Sequence, residues 1–339
     1  MTTGGAVSRR SFTAGLVAAG LAGGAAAPAW ARRAKYRLRY GTAFPADHPG
    51  AVRIREAAEA IAKATNGEVD LQVYPNSQLG GEPDMFSQVR SGALDFLSTS
   101  GINQTIVPVG GINAVAFAFD DYAKVWAAMD GALGAHVRAQ FAKAGLHVFD
   151  RMLDNGFRNI TTATKAITGP DDLKGLKIRV PGHQLWVTMF GALGAAPTPI
   201  NFGELYAALQ TRIVDGQENP LALIASAKLF EVQKYIALTG HMWDGHYIFT
   251  NAKRWAALPE PIRAAITQAL TDAAMRERED VLRLNEELVA TITKAGVIVG
   301  KPDTPPFREI LRKAGFYADW KAKFGPEPWA LLESYAGPL

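Results

Sequence analysis

Apolar and polar positions alternate along the chain in a regular order of strands and helices. Residues 36–40 alternate apolar and polar side chains, which is typical of a half-buried strand. Residues 51–65 repeat their apolar side chains on one helical face, and Asn66 and Gly67 then end the helix. The two patterns continue and predict a strand, a short helix and a third strand, at 69–74, 82–90 and 93–97. A β-α-β-α-β order predicts a parallel sheet.

A single long helix is predicted between Pro259 and Gly296. Pro259 and Pro261 stand at its start, where proline is tolerated, and apolar side chains then recur on one face as far as residue 292. About 35 residues rising about 1.5 Å each give about 50 Å, whereas a lobe of about 130 residues is about 30–40 Å across. We therefore expect the helix to pack along two lobes, with its charged stretch 276–280 as a solvated face.

The helix and strand at 84–95 have a counterpart later in the chain. Residues 84–95 (DMFSQVRSGALD) and 204–215 (ELYAALQTRIVD) match in their apolar positions, and both end in aspartate. Two lobes built from the same unit and facing each other across a cleft would explain the match. The alternative is that any helix-turn-strand unit shows this pattern.

The N-terminal residues carry the pattern of an export signal. A twin-arginine pair lies in 8–12 (SRRSF), an apolar run rich in alanine and glycine covers 14–27, and 29–31 (AWA) form an A-x-A cleavage site. A membrane anchor is the alternative, but the run is short and rich in glycine for a spanning helix. We expect residues 1–31 to be a Tat signal peptide and the mature chain to be a soluble periplasmic protein.

Composition narrows the classes of function. Removal of residues 1–31 takes away Arg9 and Arg10 and lowers the formal net charge from +4 to +2, which is too small for nucleic-acid binding by charge. The chain has no cysteine, which excludes disulfides, thiolate metal sites and cysteine catalysis. Neither a G-x-S-x-G nor an H-E-x-x-H motif is present, so a secreted hydrolase is disfavoured.

Two polar side chains stand at predicted strand ends within residues 173–220. Arg179 ends the first strand of this stretch, and Asn219 ends the last. The carboxyl ends of strands are where α/β sheets bind ligands, and arginine holds a carboxylate through two parallel hydrogen bonds. The pattern predicts a site for a small organic anion.

Six short motifs give the chain a resemblance to a known family, the extracytoplasmic solute receptors of TRAP transporters (DctP type). The motifs occur in the expected order over most of the mature chain: 46–49 (ADHP), 65–67 (TNG), 74–80 (YPNSQLG), 91–95 (SGALD), 173–181 (LKGLKIRVP) and 215–220 (DGQENP). Each match is weak alone, and the ordered set makes the resemblance specific.

The resemblance implies three ligand contacts. Arg179 corresponds to the arginine that forms the main salt bridge to the ligand carboxylate, and Arg158 to a second arginine that often contacts the ligand. Asn219 corresponds to the asparagine that donates to the carboxylate. For Arg158, an inter-lobe salt bridge with Asp154 or Asp244 is the alternative. A turn-forming Asn-Pro pair is the alternative for Asn219.

The resemblance also implies an α/β, two-lobed periplasmic binding protein fold of type II-like build. Each lobe would be a mainly parallel sheet flanked by helices, with the long helix spanning both lobes and the ligand in the cleft between them. We expect residues 32–156, 245–284 and the C-terminal segment in lobe 1, and residues 157–244 and 285–312 in lobe 2.

Specificity is expected to come from further cleft positions. The candidates lie in strand–helix loops, after the third strand, at the helix following Arg179 and where the chain crosses between lobes: Phe44, His48, Ser98, Asn103, Trp186, His241, Trp243 and Asp244. Loop capping is the alternative for His48, and burial in the core for each tryptophan. His241, Asp244 and His246 lack a recognised metal spacing, so no metal and no cofactor are expected.

We interpret the chain as a non-enzymatic receptor that captures a small organic carboxylate by lobe closure around an arginine and delivers it to the small and large membrane subunits of a TRAP permease. An ABC-type or sensory binding protein is the alternative. A monomer is expected. C4-dicarboxylates, aromatic or hydroxy acids, sugar acids and keto acids all remain open as ligands. Phe44, Trp186 and Trp243 favour an acid with an apolar or aromatic part.

Overall fold

The computed structural model describes residues 34–100 and 106–339, so the predicted signal peptide and Asn103 lie outside the described residues. Within these ranges the strands are β1 (Tyr36–Thr42), β2 (Val69–Tyr74), β3 (Phe96–Thr99), β4 (Leu146–Val148), β5 (Leu153–Thr162), β6 (Lys177–Val180), β7 (Ala196–Pro199), β8 (Gly216–Pro220), β9 (Tyr235–Ala237), β10 (Trp243–Asn251) and β11 (Ile298–Gly300).

The helices of the same ranges flank these strands. They are α1 (Pro49–Ala64), α2 (Glu82–Ser91), α3 (Tyr122–Met129), α4 (Ala132–Lys143), α5 (Gln184–Ala192), α6 (Leu205–Gln210), α7 (Leu221–Ser226), α8 (Ala252–Ala257), α9 (Glu260–Lys294), α10 (Pro305–Lys313), α11 (Phe316–Phe324) and α12 (Pro326–Ala336). None of these helices combines the length and the apolar character that a membrane-spanning segment needs.

The strands join into one mixed sheet with two parallel halves. Its order is β2-β1-β3-β10-β5-β8-β6-β7. In the first half β1 pairs in parallel with β2 and β3, and in the second β6 pairs in parallel with β7 and β8. Between the halves lie β10 and β5, which are antiparallel to their neighbours. The predicted α/β class with mainly parallel halves is confirmed.

The two similar stretches of sequence occupy equivalent places in the two halves. α2 leads into β3, and α6 leads into β8. Each of these strands pairs in parallel with the first strand of its own half and antiparallel with a crossing strand, which is β10 for β3 and β5 for β8. The match in sequence therefore corresponds to a match in topology.

The third strand begins later than the sequence pattern predicts. β3 starts at Phe96 rather than at residue 93. Gly92 ends α2 in the left-handed conformation with φ 79°, and the backbone N–H of Ala93 then bonds back to the carbonyl of Gln88. Because residues 92–95 complete the helix end, they cannot join the sheet.

The long helix α9 spans 35 residues and packs on α1, β5, α7 and β11. Toward its start, Ile266 and Leu270 are buried with Ile54 of α1 in one core. Toward its end, Leu288 and Ile292 belong to a separate core with α6 and α7. The expectation of a long helix along two lobes is confirmed.

The charged middle of α9 is a solvated face only in part: Arg276 and Glu279 are exposed as predicted, but the two residues between them are buried. Glu277 is 0% exposed and Arg278 is 7% exposed. The Glu277 carboxylate accepts from the backbone N–H of Asp154 at 2.7 Å, and the Arg278 guanidinium forms a bidentate pair with Asp130 at 2.8 and 3.0 Å. Arg278 also lies 3.6 Å from the ring centre of Trp126. The helix crosses β5 here, so this pair of residues faces the strand rather than water.

Candidate functional site

A cavity lies between the two halves of the sheet. The space open to a water-sized molecule is about 30 Å³, and its wall takes residues from both halves and from the crossing strands β5 and β10. The wall is formed by Ala43, Phe44, Glu82, Ser100, Asn155, Arg158, Arg179, Pro181, Phe202, Asn219, Leu223, Asp244 and His246. Five of the predicted site residues meet there: Phe44, Arg158, Arg179, Asn219 and Asp244.

Arg179 is a buried cation at the carboxyl end of β6. Its side chain is 2% exposed, and its Nε donates to the carbonyl oxygen of Ile200 at 2.8 Å. Within the described ranges no carboxylate forms an ion pair with it. Burial lowers the pKa of Arg179 to about 10, so the guanidinium stays charged at neutral pH. The cavity therefore presents a desolvated positive charge that an anion can pair with.

Arg158 is equally buried, but carboxylates already surround it. Its Nε and Nη2 contact the Glu218 carboxylate at 2.5 and 2.8 Å, and its Nη1 donates to Oδ2 of Asp244 at 2.7 Å. Nη2 also donates to Oδ1 of Asn219 at 2.9 Å. The salt bridge with Asp244, which the sequence left open as an alternative, is present. Two carboxylates thus neutralise this arginine in the protein itself.

The amide of Asn219 is held in one orientation by a chain of hydrogen bonds. Its Oδ1 accepts from Arg158, and its Nδ2 donates to Oε1 of Gln217 at 2.5 Å. Gln217 in turn donates from Nε2 to Oγ1 of Thr161 at 2.8 Å. Since the amide carries two N–H groups, one of them is available to a group in the cavity.

Two carboxyl groups also line the wall. Glu82, at the start of α2, accepts from the Thr99 hydroxyl at 2.7 Å, and Asp244 accepts from Nδ2 of Asn155 at 3.0 Å. Burial raises the pKa of both Glu82 and Asp244. Oδ1 of Asp244 and Oδ1 of Asn155 have no hydrogen-bond partner among the described residues. These oxygens are acceptors without a donor.

Three aromatic rings are stacked beside the cavity. Phe44 lies between His48 and His246, with ring centres 4.1 and 4.3 Å apart and interplanar angles of 14° and 9°. His48 also caps α1, because its Nδ1 accepts from the backbone N–H of Gly50 at 3.1 Å. Burial lowers the pKa of His48 to about 3, so the ring is neutral. His48 thus supports the wall residue Phe44 and is not itself part of the wall.

Both candidate tryptophans are buried behind the wall. Trp186 is 0% exposed, and its ring centre lies 5.5 Å from the guanidinium carbon of Arg158. Trp243 is also 0% exposed, and its Nε1 donates to Asp154 at 2.8 Å. They stand behind the charged residues and contribute to the core. They therefore give no structural support to an aromatic ligand.

Two further candidates hold neighbouring elements in place. Nε2 of His241 lies 3.1 Å from the Glu218 carboxylate, and its Nδ1 lies 2.7 Å from the Thr239 hydroxyl. Ser98 donates to Oγ1 of Thr42 at 2.9 Å, which ties β3 to β1. His241 and Ser98 are fully or almost fully buried, and the structure does not bring either to the wall.

Sequence reasoning missed several wall residues, among them Glu82, Asn155, Phe202 and His246. Glu82 follows the Gly-Gly pair in the loop after β2. A search for polar residues near strand ends could therefore have found it. Asn155 and His246 lie within crossing strands. Their places depend on the pairing of β5 with β10, which no local pattern reveals.

A cavity with a buried arginine between two sheet halves, joined by crossing strands and a long helix, defines a two-lobed ligand-binding protein. A family model described as bacterial extracellular solute-binding protein, family 7 (DctP), matches residues 40–317. The chain belongs to this family. Its predicted resemblance to the DctP-type solute receptors of TRAP transporters is confirmed.

Curated and structural relatives agree with this assignment. The 2,3-diketo-L-gulonate-binding periplasmic protein YiaO of Escherichia coli K12 is 32% identical over 305 residues, 89% of this chain and 91% of YiaO. A TRAP periplasmic solute-binding protein from Polaromonas sp. JS666, bound to D-erythronate, has a TM-score of 0.84 and 30% identity, covering 90% of this chain and 100% of that one. The sugar acid binding protein DctPAm from Advenella mimigardefordensis, in complex with galactonate, has a TM-score of 0.83 and 30% identity. The match covers 88% of this chain and 97% of that one.

Proposed function

We propose that this chain is a periplasmic receptor that binds a small organic acid and delivers it to the membrane subunits of a TRAP transporter. The observation that carries the proposal is the buried guanidinium of Arg179, which faces the cavity without a carboxylate partner among the described residues. A ligand carboxylate would supply the missing charge through two parallel hydrogen bonds, which strengthen as water is excluded.

Asn219 and Arg158 complete the proposed carboxylate site. Asn219 has a second amide N–H beyond the one that bonds to Gln217, and it can donate this to the ligand. Arg158 lines the cavity, and its Nη1 carries two hydrogens and donates one to Asp244. It adds a hydrogen bond but little net charge, because Glu218 and Asp244 already balance it.

The rest of the wall favours a hydroxylated monocarboxylate, such as a sugar acid, over a dicarboxylate. Glu82, Asp244 and Asn155 offer oxygens that accept hydrogen bonds from hydroxyl groups. A second carboxylate would instead meet two buried carboxyl groups, while the charge of Arg158 is already compensated. Similar proteins solved with D-erythronate, galactonate and L-galactonate are each 30% identical to this chain, and a C4-dicarboxylate-binding relative from Rhodobacter capsulatus is 31% identical. The preference for a hydroxylated acid therefore rests on the wall residues and not on the relatives.

Capture would proceed by closure of two lobes around the ligand. The proposed lobes are residues 32–156, 245–284 and the C-terminal segment on one side, and residues 157–244 and 285–312 on the other. Hinge closure around a bound ligand is one of the standard conformational changes of proteins. We further propose export through the Tat signal of residues 1–31 and action as a monomer.

Calorimetric titration of the mature protein, residues 32–339, tests the proposal. The ligands are D-erythronate, butyrate and succinate, which share a carbon skeleton and differ in hydroxyl groups and in the number of carboxylates. We expect erythronate to bind, and butyrate and succinate to bind at least about tenfold more weakly. Equal binding of all three would contradict the ligand class. Failure of a wider panel of organic acids to bind at all would contradict the receptor function.

A further inference from the structure

His246 is a buried polar side chain of the cavity wall. It is 4% exposed, and its Nδ1 has no hydrogen-bond partner among the described residues. A buried polar group without a partner costs about 1–3 kcal/mol. A group in the cavity that bonds to the imidazole would remove this cost.

The ring of His246 is held in a fixed plane. Its centre lies 4.3 Å from that of Phe44 at an interplanar angle of 9°, and His48 stacks on the other face of Phe44. Gly50 permits this packing, because a Cβ at that position would meet the Phe44 ring at 2.6 Å. A preorganised ring loses little entropy when a ligand binds it.

Burial, with His48, Arg158 and His183 nearby, lowers the pKa of His246 well below its ordinary value. The ring is therefore neutral at neutral pH. A neutral imidazole carries one donor and one acceptor, which matches a hydroxyl group, itself both donor and acceptor. The carboxyl groups of Glu82 and Asp244, when ionised, only accept, so they cannot bond to the oxygen of a ligand hydroxyl as donors.

We propose that His246 is a specificity-determining residue that hydrogen-bonds to a hydroxyl group of the ligand. The inference rests on the proposed function, since it concerns the non-carboxylate end of the same ligand. His246 selects hydroxylated acids because an acid without the hydroxyl leaves the imidazole unpaired. Arg179 contributes equally to both kinds of acid.

His246→Phe tests the inference, because it keeps a planar ring between the same neighbours and removes both nitrogens. Titration with D-erythronate and butyrate measures the preference of wild type and variant. We expect erythronate to bind the variant about 10- to 100-fold more weakly, with butyrate affinity changed by less than about twofold. His246→Gln, which restores a donor and an acceptor, should recover part of the loss.

Thermal unfolding without ligand separates binding from folding. His246→Phe should melt at or above the wild-type temperature, because the change removes a buried Nδ1 that has no partner among the described residues. His147→Phe is the matched control, since His147 stacks on Trp255 with ring centres 5.0 Å apart and does not line the cavity. This control should leave both affinities unchanged.

The outcomes distinguish this inference from the proposed function. If the wild type prefers erythronate and His246→Phe keeps the full preference, His246 does not read the hydroxyl, and the receptor assignment is untouched. Equal losses for erythronate and butyrate would also overturn the inference, since they indicate a general effect on the site. A wild type that binds both acids equally contradicts the proposed ligand class, and the inference with it.

Discussion

Arg158 and Asp244 form a buried ion pair, with Nη1 and Oδ2 2.7 Å apart. Glu218 completes the neutralisation of Arg158 from the other side at 2.5 Å. Arg179 reaches the same cavity without such a partner among the described residues. The two arginines are alike in burial and differ in charge balance, so their removal should have opposite consequences for binding and for stability.

Arg179→Met should abolish binding with little cost in stability. The ligand carboxylate loses charge-assisted hydrogen bonds, which we expect to weaken binding by at least about 100-fold. The free energy of unfolding without ligand should change by less than about 1 kcal/mol, because one isolated buried charge is removed together with one hydrogen bond to Ile200. Calorimetry and urea denaturation measure the two effects, with the exposed Arg312→Met as control. Binding retained within threefold would contradict the proposed role.

Arg158→Met should destabilise the unliganded protein by about 3–5 kcal/mol, because it leaves Glu218 and Asp244 buried without their cation. Urea denaturation measures the loss. The double variant Arg158→Met with Glu218→Gln should recover part of it, since one uncompensated charge is then removed as well. A loss below about 1 kcal/mol in the single variant would show that the ion pairs are not needed for the fold.

Glu82→Gln should weaken the discrimination against dicarboxylates. Glutamine can still accept from the Thr99 hydroxyl but removes a negative charge from the wall. We expect the affinity for succinate to rise about tenfold relative to that for erythronate. Competition between the two acids provides a direct measurement. An unchanged ratio would mean that Glu82 does not face the far end of the ligand.

The buried carboxyl groups of Glu277 and Asp154 should make the free energy of unfolding fall as pH rises. Burial raises the pKa of Asp154 to about 7 and the pKa of Glu277 well above its ordinary value. The native state then holds more protons than the unfolded state, whose carboxyl groups titrate near about pH 4. The contribution is thus complete below about pH 4 and is lost as pH rises from there through the raised pKa values of Asp154 and Glu277.

Glu277→Gln should flatten this dependence, because the amide stays neutral and its oxygen can still accept from the Asp154 N–H. Urea denaturation at pH 5 and pH 8 should show the variant gaining about 1 kcal/mol or more over wild type at the higher pH. The exposed Glu286→Gln on the same helix is the control. Parallel pH curves for Glu277→Gln and wild type would refute the prediction.

The proposed twin-arginine signal predicts a specific export defect. Replacing Arg9 and Arg10 together with lysine keeps the charge but removes the guanidinium pair. The precursor should accumulate in the cytoplasm, and fractionation with immunoblotting would show the loss of the mature periplasmic form. Unchanged export would point to a different route.

Local patterns were sufficient for the α/β class, the long helix and the two polar strand ends. Arg179 and Asn219 both reach the cavity because the carboxyl ends of parallel strands meet at one edge of a sheet. Pairings between distant residues could not be predicted in this way. The pattern of its own helix predicts that Arg278 is a surface charge. Its partner Asp130 lies 148 positions away in the sequence.

The aromatic wall shows the same limit. Phe44 was a candidate because of its loop, but the sequence offers no sign that His246 on β10 stacks on it. The tryptophans Trp186 and Trp243 were candidates because of their neighbours in sequence, yet packing placed their rings behind the wall. Side-chain direction depends on the tertiary contacts of β5 and β10, which the one-dimensional pattern does not contain.

The order of strands in the sheet also constrains synthesis. The first half takes β1, β2 and β3 from the start of the chain, but its next strand, β10, is Trp243–Asn251. During synthesis, the edge of β3 therefore stays unpaired until the ribosome has passed residue 251. The packing partner of α1, helix α9, is translated later still. The first half therefore closes this edge only after β6, β7 and β8 of the second half have been translated.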